Sequence, residues 1–330
     1  MGIGKKSLTT AYYPRASSPE RAERIAVAPG RELAGLKIWT ETVATASLRV
    51  QVGGLPEGVM PNVSILSGSP ENRVSYSHNG YQAGTSRFLE VPPGSYEIRA
   101  TAGKLMAVDK IRLPPGGEVE ATLNLKPLIE IGGEVIVEGP GSEKYRNFRV
   151  GLTWPAFRGG TSPSANVDPA TLKFKIGGLE PGVWDIGIQP LPPGGYLKAM
   201  TLGDLDVLNE EMALTESPGA PLKIFVRTDG AALAVEVEDA KPAIVLIAPE
   251  GRLRDIESHR RFLYTDADGK IPVRGLPPGD YRVWAFEELD AQQLSPEFLD
   301  RHMKLGTTVK LAAGQSAELK IKRIESGDVR

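Results

Sequence analysis

Alternation of apolar and polar positions is the dominant pattern along this chain. In Tyr96-Glu97-Ile98-Arg99-Ala100, Trp184-Asp185-Ile186-Gly187-Ile188 and Tyr281-Arg282-Val283-Trp284-Ala285 the first, third and fifth positions are apolar, the period of a half-buried β-strand. Each run follows one phrase: Val91-Pro92-Pro93-Gly94-Ser95-Tyr96, Leu179-Glu180-Pro181-Gly182-Val183-Trp184 and Leu276-Pro277-Pro278-Gly279-Asp280-Tyr281. Proline presets φ for a turn, glycine takes the conformation that other residues resist, and the aromatic that follows enters a core. The same alternation places Tyr281 inward and Trp284 with Phe286 on the opposite face, toward a helix at Ser295 or a neighbouring unit.

A second phrase, after a Pro/Ala-Gly turn, occurs four times: Leu36-Lys37-Ile38, Leu123-Asn124-Leu125, Leu222-Lys223-Ile224 and Leu319-Lys320-Ile321. Its spacing matches that of the first phrase, so the two open and close one repeating unit, and each closing phrase is expected to be a strand. Ser18-Pro19-Glu20 and Ser295-Pro296-Glu297 each read as a serine N-cap, a proline in the first helical position and an acid on the helix dipole.

Three full units open at Leu48-Arg49-Val50-Gln51-Val52, at Ile129 through Val137 and at Leu233-Ala234-Val235-Glu236-Val237. Expected boundaries are 44–127, 128–228 and 229–325, with a tail at 326–330. Residues 1–43 are expected to be the end of a further unit whose front half lies outside the sequence. Short strands between Gly, Pro, Asn and Asp turns predict an all-β protein of tandem sandwiches with at most short helices. In the third unit Asp266-Ala267-Asp268-Gly269 is expected to join Arg261-Phe262-Leu263-Tyr264 to Ile271-Pro272-Val273 as a hairpin, Pro272 placing the second strand at an edge or standing among its first residues.

The stretch Tyr264-Thr265-Asp266-Ala267-Asp268-Gly269-Lys270 with Gly275-Leu276-Pro277-Pro278-Gly279-Asp280-Tyr281-Arg282-Val283 resembles the carboxypeptidase regulatory-like domain. Tyr196 through Glu211, with Gly203-Asp204-Leu205-Asp206-Val207-Leu208, is similar to a stretch between consecutive domains of that kind. The resemblance covers most of the chain and is strongest in the third unit. It implies a transthyretin-like, Ig-like β-sandwich, found in series in exported bacterial proteins, and a periplasmic or extracellular place in the cell envelope. It implies an accessory role as spacer, folding aid or binding module, with no shared catalytic site.

Composition narrows the chemistry. With 39 basic against 41 acidic residues, net charge −2, the chain has no basic excess for nucleic acid. Without cysteine there are no disulfides, thiolate nucleophiles or cysteine-bound metals. The first residues, Met1-Gly2-Ile3-Gly4-Lys5-Lys6-Ser7, are too polar for a secretory signal. Gly4-Lys5-Lys6 lacks the rest of a phosphate loop. Ala243–Ala248 is among the longest apolar runs and suits a buried strand, so no membrane insertion is expected.

His78, His259 and His302 show no metal-ligand or triad spacing and read as solvated loop residues. Asp266 with Asp268, and Asp204 with Asp206, read as turn residues in preference to calcium ligands or paired carboxylates. No cofactor or metal site follows. Trp154, Phe157 and Arg158, beside Pro155 and Gly159-Gly160, are the residues most suited to contact a sugar or peptide, against the alternative that Trp154 covers the core. Tyr12 and Tyr13 are expected to be exposed and to serve partner contact or self-association. The expected role is a non-catalytic structural, spacer or protein-interaction region that meets an envelope protein or polysaccharide. Junction prolines such as Pro127 are expected to stiffen it into a rod; the alternative is a carbohydrate- or peptide-binding module.

Overall fold

The computed structural model describes residues 6–8, 11–16, 21–27, 30–68, 74–77, 80–82, 84–154, 162–289 and 294–329. The protein is all-β, built of paired antiparallel and mixed sheets with a single short α-helix, Pro296–Arg301, among the described residues. It divides into two compact units, one formed by Met1–Ile129 with Trp154–Thr161 and Gly178–Glu180, the other by Glu130–Thr153, Ser162–Gly177 and Pro181–Arg330.

In the first unit, Glu118–Asn124, Ala46–Gly53, Thr85–Val91 and Gly80–Gln82 form one sheet. Lys126–Pro127, Leu105–Leu113, Gly94–Ala102, Asn62–Ser67 and Val74–Ser77 form its partner. Strict alternation along Ala46–Gly53 buries Ala46, Leu48, Val50 and Val52. These meet Val63, Ile65, Phe88, Tyr96 and Ile98 in one core. Burying such side chains contributes about 1.5–3 kcal/mol each, which is what holds the two sheets together.

The second unit contains two further sheet pairs. Lys173–Leu179, Ile129–Glu138, Leu222–Arg227, Tyr196–Leu202 and Leu205–Asp206 accompany Ser164–Asn166, Arg149–Thr153, Gly182–Gln189 and Met212–Leu214. Lys270–Leu276, Ala231–Val237 and Ser316–Ile321 accompany Arg261–Tyr264, Ile244–Pro249, Gly279–Phe286 and Thr307–Leu311. Gly230 and Gly275 set how closely these pairs approach. A Cβ on Gly230 would lie 2.4 Å from the Gly194 carbonyl oxygen, and one on Gly275, at φ +72°, would lie 2.5 Å from that of Gly195. Only glycine permits backbones so near.

The closing strand of every repeat lies parallel to its own opening strand: Glu118–Asn124 beside Ala46–Gly53, Leu222–Arg227 beside Ile129–Glu138, and Ser316–Ile321 beside Ala231–Val237. This relationship explains a departure from the sequence reading. Leu36-Lys37-Ile38 is no strand but irregular, exposed chain, because a closing strand is held by its opening partner and, among the described residues, none stands beside this copy. Ahead of it, Lys6–Leu8 pairs with Thr42–Ala44. Ser18-Pro19-Glu20 lies outside the described residues.

The Asp266–Gly269 hairpin is a second correction. Arg261–Tyr264 pairs with Ile244–Pro249, whereas Lys270–Leu276 pairs with Ala231–Val237 in the opposite sheet. The turn therefore carries the chain across the core. Asp266 still shapes it, its Oδ1 accepting from the amides of Asp268 at 3.0 Å and Lys270 at 2.8 Å. Two aspartates and a glycine specify a tight reversal but not the sheet to which each arm belongs. Pro272 does sit on an edge strand, where its missing N–H costs no ladder bond.

The outer face of the last sheet is covered. Leu246, Ala248, Trp284 and Phe286 pack against Phe298 and Leu299 of the helix and against Ile324. Ser295 caps that helix, its hydroxyl accepting from the Phe298 amide at 3.2 Å. Trp284 Nε1 donates to the His302 carbonyl at 2.9 Å. His302, read from sequence as a solvated loop residue, is only 7% exposed, with Nδ1 2.7 Å from the Phe298 carbonyl. The helix that covers the aromatic face carries it inward.

Candidate functional site

The sequence candidates do not converge. Trp154 follows the strand Arg149–Thr153 and is half-buried, while Phe157 and Arg158 lie outside the described residues. Tyr12 and Tyr13 are half-buried, not exposed as expected. Their segment folds on itself: Tyr12 and Ala16 exchange backbone bonds, the Tyr13 carbonyl accepts from Glu23, and Trp39 bonds the Pro14 carbonyl while Arg15 lies over its ring at 5.2 Å. His78 lies outside the described residues. Asp204 is exposed and Asp268 lies in the exposed turn.

The structure assembles a different site. Within the second unit a cleft of about 740 Å³ is lined by Trp184, Asp185, Tyr196, Asn209, His259, Arg261 and Tyr281, among others. The opening phrases of the second and third repeats both reach it, through Trp184-Asp185 and through Pro277-Pro278-Gly279. The aromatic of each phrase points into a core, so the cleft receives the rims of Trp184, Tyr196 and Tyr281, which are 4–6% exposed. Burial pushes the Tyr281 hydroxyl up to about 12 and raises that of Tyr196, keeping both neutral.

A hydrogen-bonded chain crosses the cleft wall. The turn after Leu205–Asp206 lets Asp206 accept from the Leu208 amide at 3.2 Å and from Asn209 Nδ2 at 2.6 Å. This orients the amide so that Asn209 Oδ1 faces His259 Nε2 at 2.7 Å. An oxygen acceptor there requires the proton on Nε2. Asp206 is thus a partly buried structural acceptor, where the sequence suggested a solvated turn. Burial is the largest influence on His259 and lowers its basicity; the Asp206 charge opposes this and the Arg261 charge adds to it. The imidazole is held neutral.

Of the other charged groups in the lining, Lys198, Glu250 and Asp280 have ion partners, whereas Asp185, Glu210 and Arg261 make no ion pair among the described residues. Glu250 accepts from Arg282 at 2.8 Å, and Lys198 reaches Glu138 at 2.9 Å. Glu138 is also bonded by Arg227, whose guanidinium forks onto Asp229. Those cations hold the Glu138 and Asp229 carboxyls below the usual range. Among the described residues, neither His259 nor His302 bonds a carboxylate or hydroxyl, and no group of three or more His, Asp or Glu is placed to hold a metal. The sequence signal for this site was weak: His259 and Asn209 are 50 positions apart and belong to different repeats.

No family model matches the chain, and no curated protein matches it. Among solved structures it is similar to the Bacillus anthracis TIE protein, at 12% identity and TM-score 0.23, covering 87% of this chain and 55% of that one. A streptococcal ancillary pilin aligns at 10% identity and TM-score 0.24, covering 84% and 99%. The Corynebacterium diphtheriae major pilin SpaA aligns at 12% identity and TM-score 0.20, also covering 84% and 99%. TM-scores this low carry no weight on function; the sheets themselves establish the fold. No helix of the described residues is long and apolar enough to cross a membrane.

Proposed function

We propose that this chain is a non-catalytic structural and protein-interaction region of a bacterial envelope protein, built from tandem carboxypeptidase regulatory-like sandwiches at about 44–127, 128–228 and 229–325. One observation carries the reading: the histidine of the cleft and two of its charged groups are bound into the framework, and no described carboxylate stands at hydrogen-bond reach of that histidine. His259 donates to an amide, and Glu250 and Lys198 are paired with Arg282 and Glu138. A general base must present a free lone pair to the proton it removes, and the His259 Nε2 that faces Asn209 carries a proton instead. The parallel opening and closing strands support the repeat reading, since each sheet pair is made by one repeat alone.

The test combines turnover and location. The purified chain is screened against ester, peptide and glycoside substrates, and native cells are fractionated and cross-linked. Recovery in the envelope with a cross-linked protein partner, and no turnover, is the expected result. Turnover that falls in His259→Ala would overturn the reading.

A second reading, carbohydrate or peptide binding through Trp154 with Phe157 and Arg158, is favoured by one fact: Trp154 is not drawn fully into the core. A glycan-array or cell-wall signal lost in Trp154→Ala, at unchanged melting temperature, would support it.

A further inference from the structure

The closing phrase has a fixed partner. In the second repeat Leu222, Lys223 and Ile224 lie opposite Gly133, Glu134 and Val135; in the third Leu319, Lys320 and Ile321 lie opposite Val235, Glu236 and Val237. Both times the lysine faces a glutamate, Lys320 Nζ at 3.1 Å from Glu236 and Lys223 Nζ at 4.0 Å from Glu134. The first repeat has Asn124 in place of the lysine, and there the opposite residue is Gly53. Lysine and glutamate occur together and vanish together, as expected where opposite charges on neighbouring strands help select register.

Leu36-Lys37-Ile38 carries the lysine version without a strand. Leu36 is 49% and Ile38 57% exposed. Their backbone groups bond no other described residue, and Lys37 has no ion pair among the described residues. Leu33 and Trp39 beside them are about half exposed as well. Such a run of exposed apolar side chains with unpaired N–H and C=O groups is a template for pairing. The chain's own opening strands offer no place, since each is flanked on both sides: Ala46–Gly53 by closing strand and Thr85–Val91, Ile129–Glu138 by closing strand and Lys173–Leu179, Ala231–Val237 by closing strand and Lys270–Leu276. A second copy offers none either.

We infer that Leu36-Lys37-Ile38 is a docking strand for a polypeptide segment that presents an opening strand of this repeat type, apolar-Glu-apolar, with the glutamate opposite Lys37. Leu36 and Ile38 fall on one side of the added strand and close the partner's core, while Lys37 reads the acid on the other side. The inference deepens the interaction role proposed above, and its test is independent of turnover and of cellular location.

The experiment uses the full chain and a fluorescent peptide copying residues 231–237, with its glutamate either kept or replaced by lysine. Anisotropy is measured for wild type and Lys37→Glu. The glutamate peptide should bind wild type, each single charge reversal should weaken binding by about three- to fivefold, and the double reversal should restore it. No binding, or binding indifferent to both charges, overturns the inference. Concentration-dependent self-association in sedimentation, removed by Lys37→Glu, overturns it in favour of a second copy. Lys37 is exposed, so the variant leaves the fold intact.

Discussion

The Tyr281 hydroxyl donates to the Pro277 carbonyl oxygen at 2.7 Å, closing the turn that opens the third repeat onto the ring it sends into the core. Tyr96 makes the same bond to Pro92, also at 2.7 Å, in the first repeat. Both rings are about 95% buried, so the hydroxyl must find its partner within the fold. Tyr281→Phe should destabilise the protein by about 1–1.5 kcal/mol and Tyr281→Ala by about 3–5 kcal/mol, read from urea midpoints at constant m-value. Equal losses in the two variants would show that the hydroxyl, and not the ring, carries the effect.

Close backbone approach inside the second unit gives a sharper contrast. Gly275→Ala and Gly230→Ala would each push a methyl into a carbonyl oxygen of the Gly194-Gly195 turn. Each should cost more than about 2 kcal/mol, because neither backbone can yield as a flexible side chain would. Ala at Gly314, which has a similar φ but open space around it, should cost only about 1 kcal/mol. Calorimetry of the three variants separates the close approach from the dihedral preference.

Acidification should act first on His259. Burial lowers its pKa in the folded state, so on falling pH the unfolded chain takes up the proton before the native one. Stability is therefore full above the unfolded value near 6.5 and declines as pH falls through it, levelling only below the folded value. Glu138 and Asp229, held low by Lys198 and Arg227, add a loss at more acid pH, as their own carboxyls protonate. His259→Gln keeps a donor for Asn209 and should flatten the dependence of the denaturant midpoint between pH 7.5 and pH 5.5. An unchanged slope would show that another group titrates there.

The small helix Pro296–Arg301 depends on its cap and on the face it covers. Ser295→Ala should cost about 1 kcal/mol. Trp284→Phe removes one of the two donors to the His302 carbonyl, which keeps the Leu305 amide, and should cost about 0.5–1.5 kcal/mol. Both losses belong to the last sheet pair, so near-ultraviolet circular dichroism and hydrogen exchange should show earlier opening around Trp284 than around Tyr96.

Deleting residues 1–43 should leave the unfolding of later residues almost unchanged. The described backbone bonds of residues 11–39 stay within that segment, between Tyr12 and Ala16, Glu23 and Tyr13, and Trp39 and Pro14. A large drop in melting temperature would show that the segment helps build the first sheet pair.

Alternation and turn chemistry were legible in the chain because both are local. Strand faces follow the two-residue period, which placed Tyr96, Trp184 and Tyr281 in the cores and turned Trp284 and Phe286 toward the helix at Ser295. The serine cap and the edge position of Pro272 were readable for the same reason. Strand partners were not readable. Asp266–Gly269 announced a reversal, yet its two arms enter different sheets, and Leu36-Lys37-Ile38 has a strand's pattern without a strand's partner. Nor did any spacing suggest that Asp206 would orient Asn209 against His259.

What the sequence by itself determined is the inward faces of most strands and the recurrence of two local phrases, since side-chain period, proline φ and glycine freedom act within a few residues. Tertiary structure alone decided which strands pair, where the cleft opens and which charges are spent inside it. Those outcomes depend on hydrogen bonds and contacts between residues far apart in the chain, and no local pattern encodes a partner. Lys37 shows the division: its phrase specifies a strand with a charge to match, and only another strand can make it one.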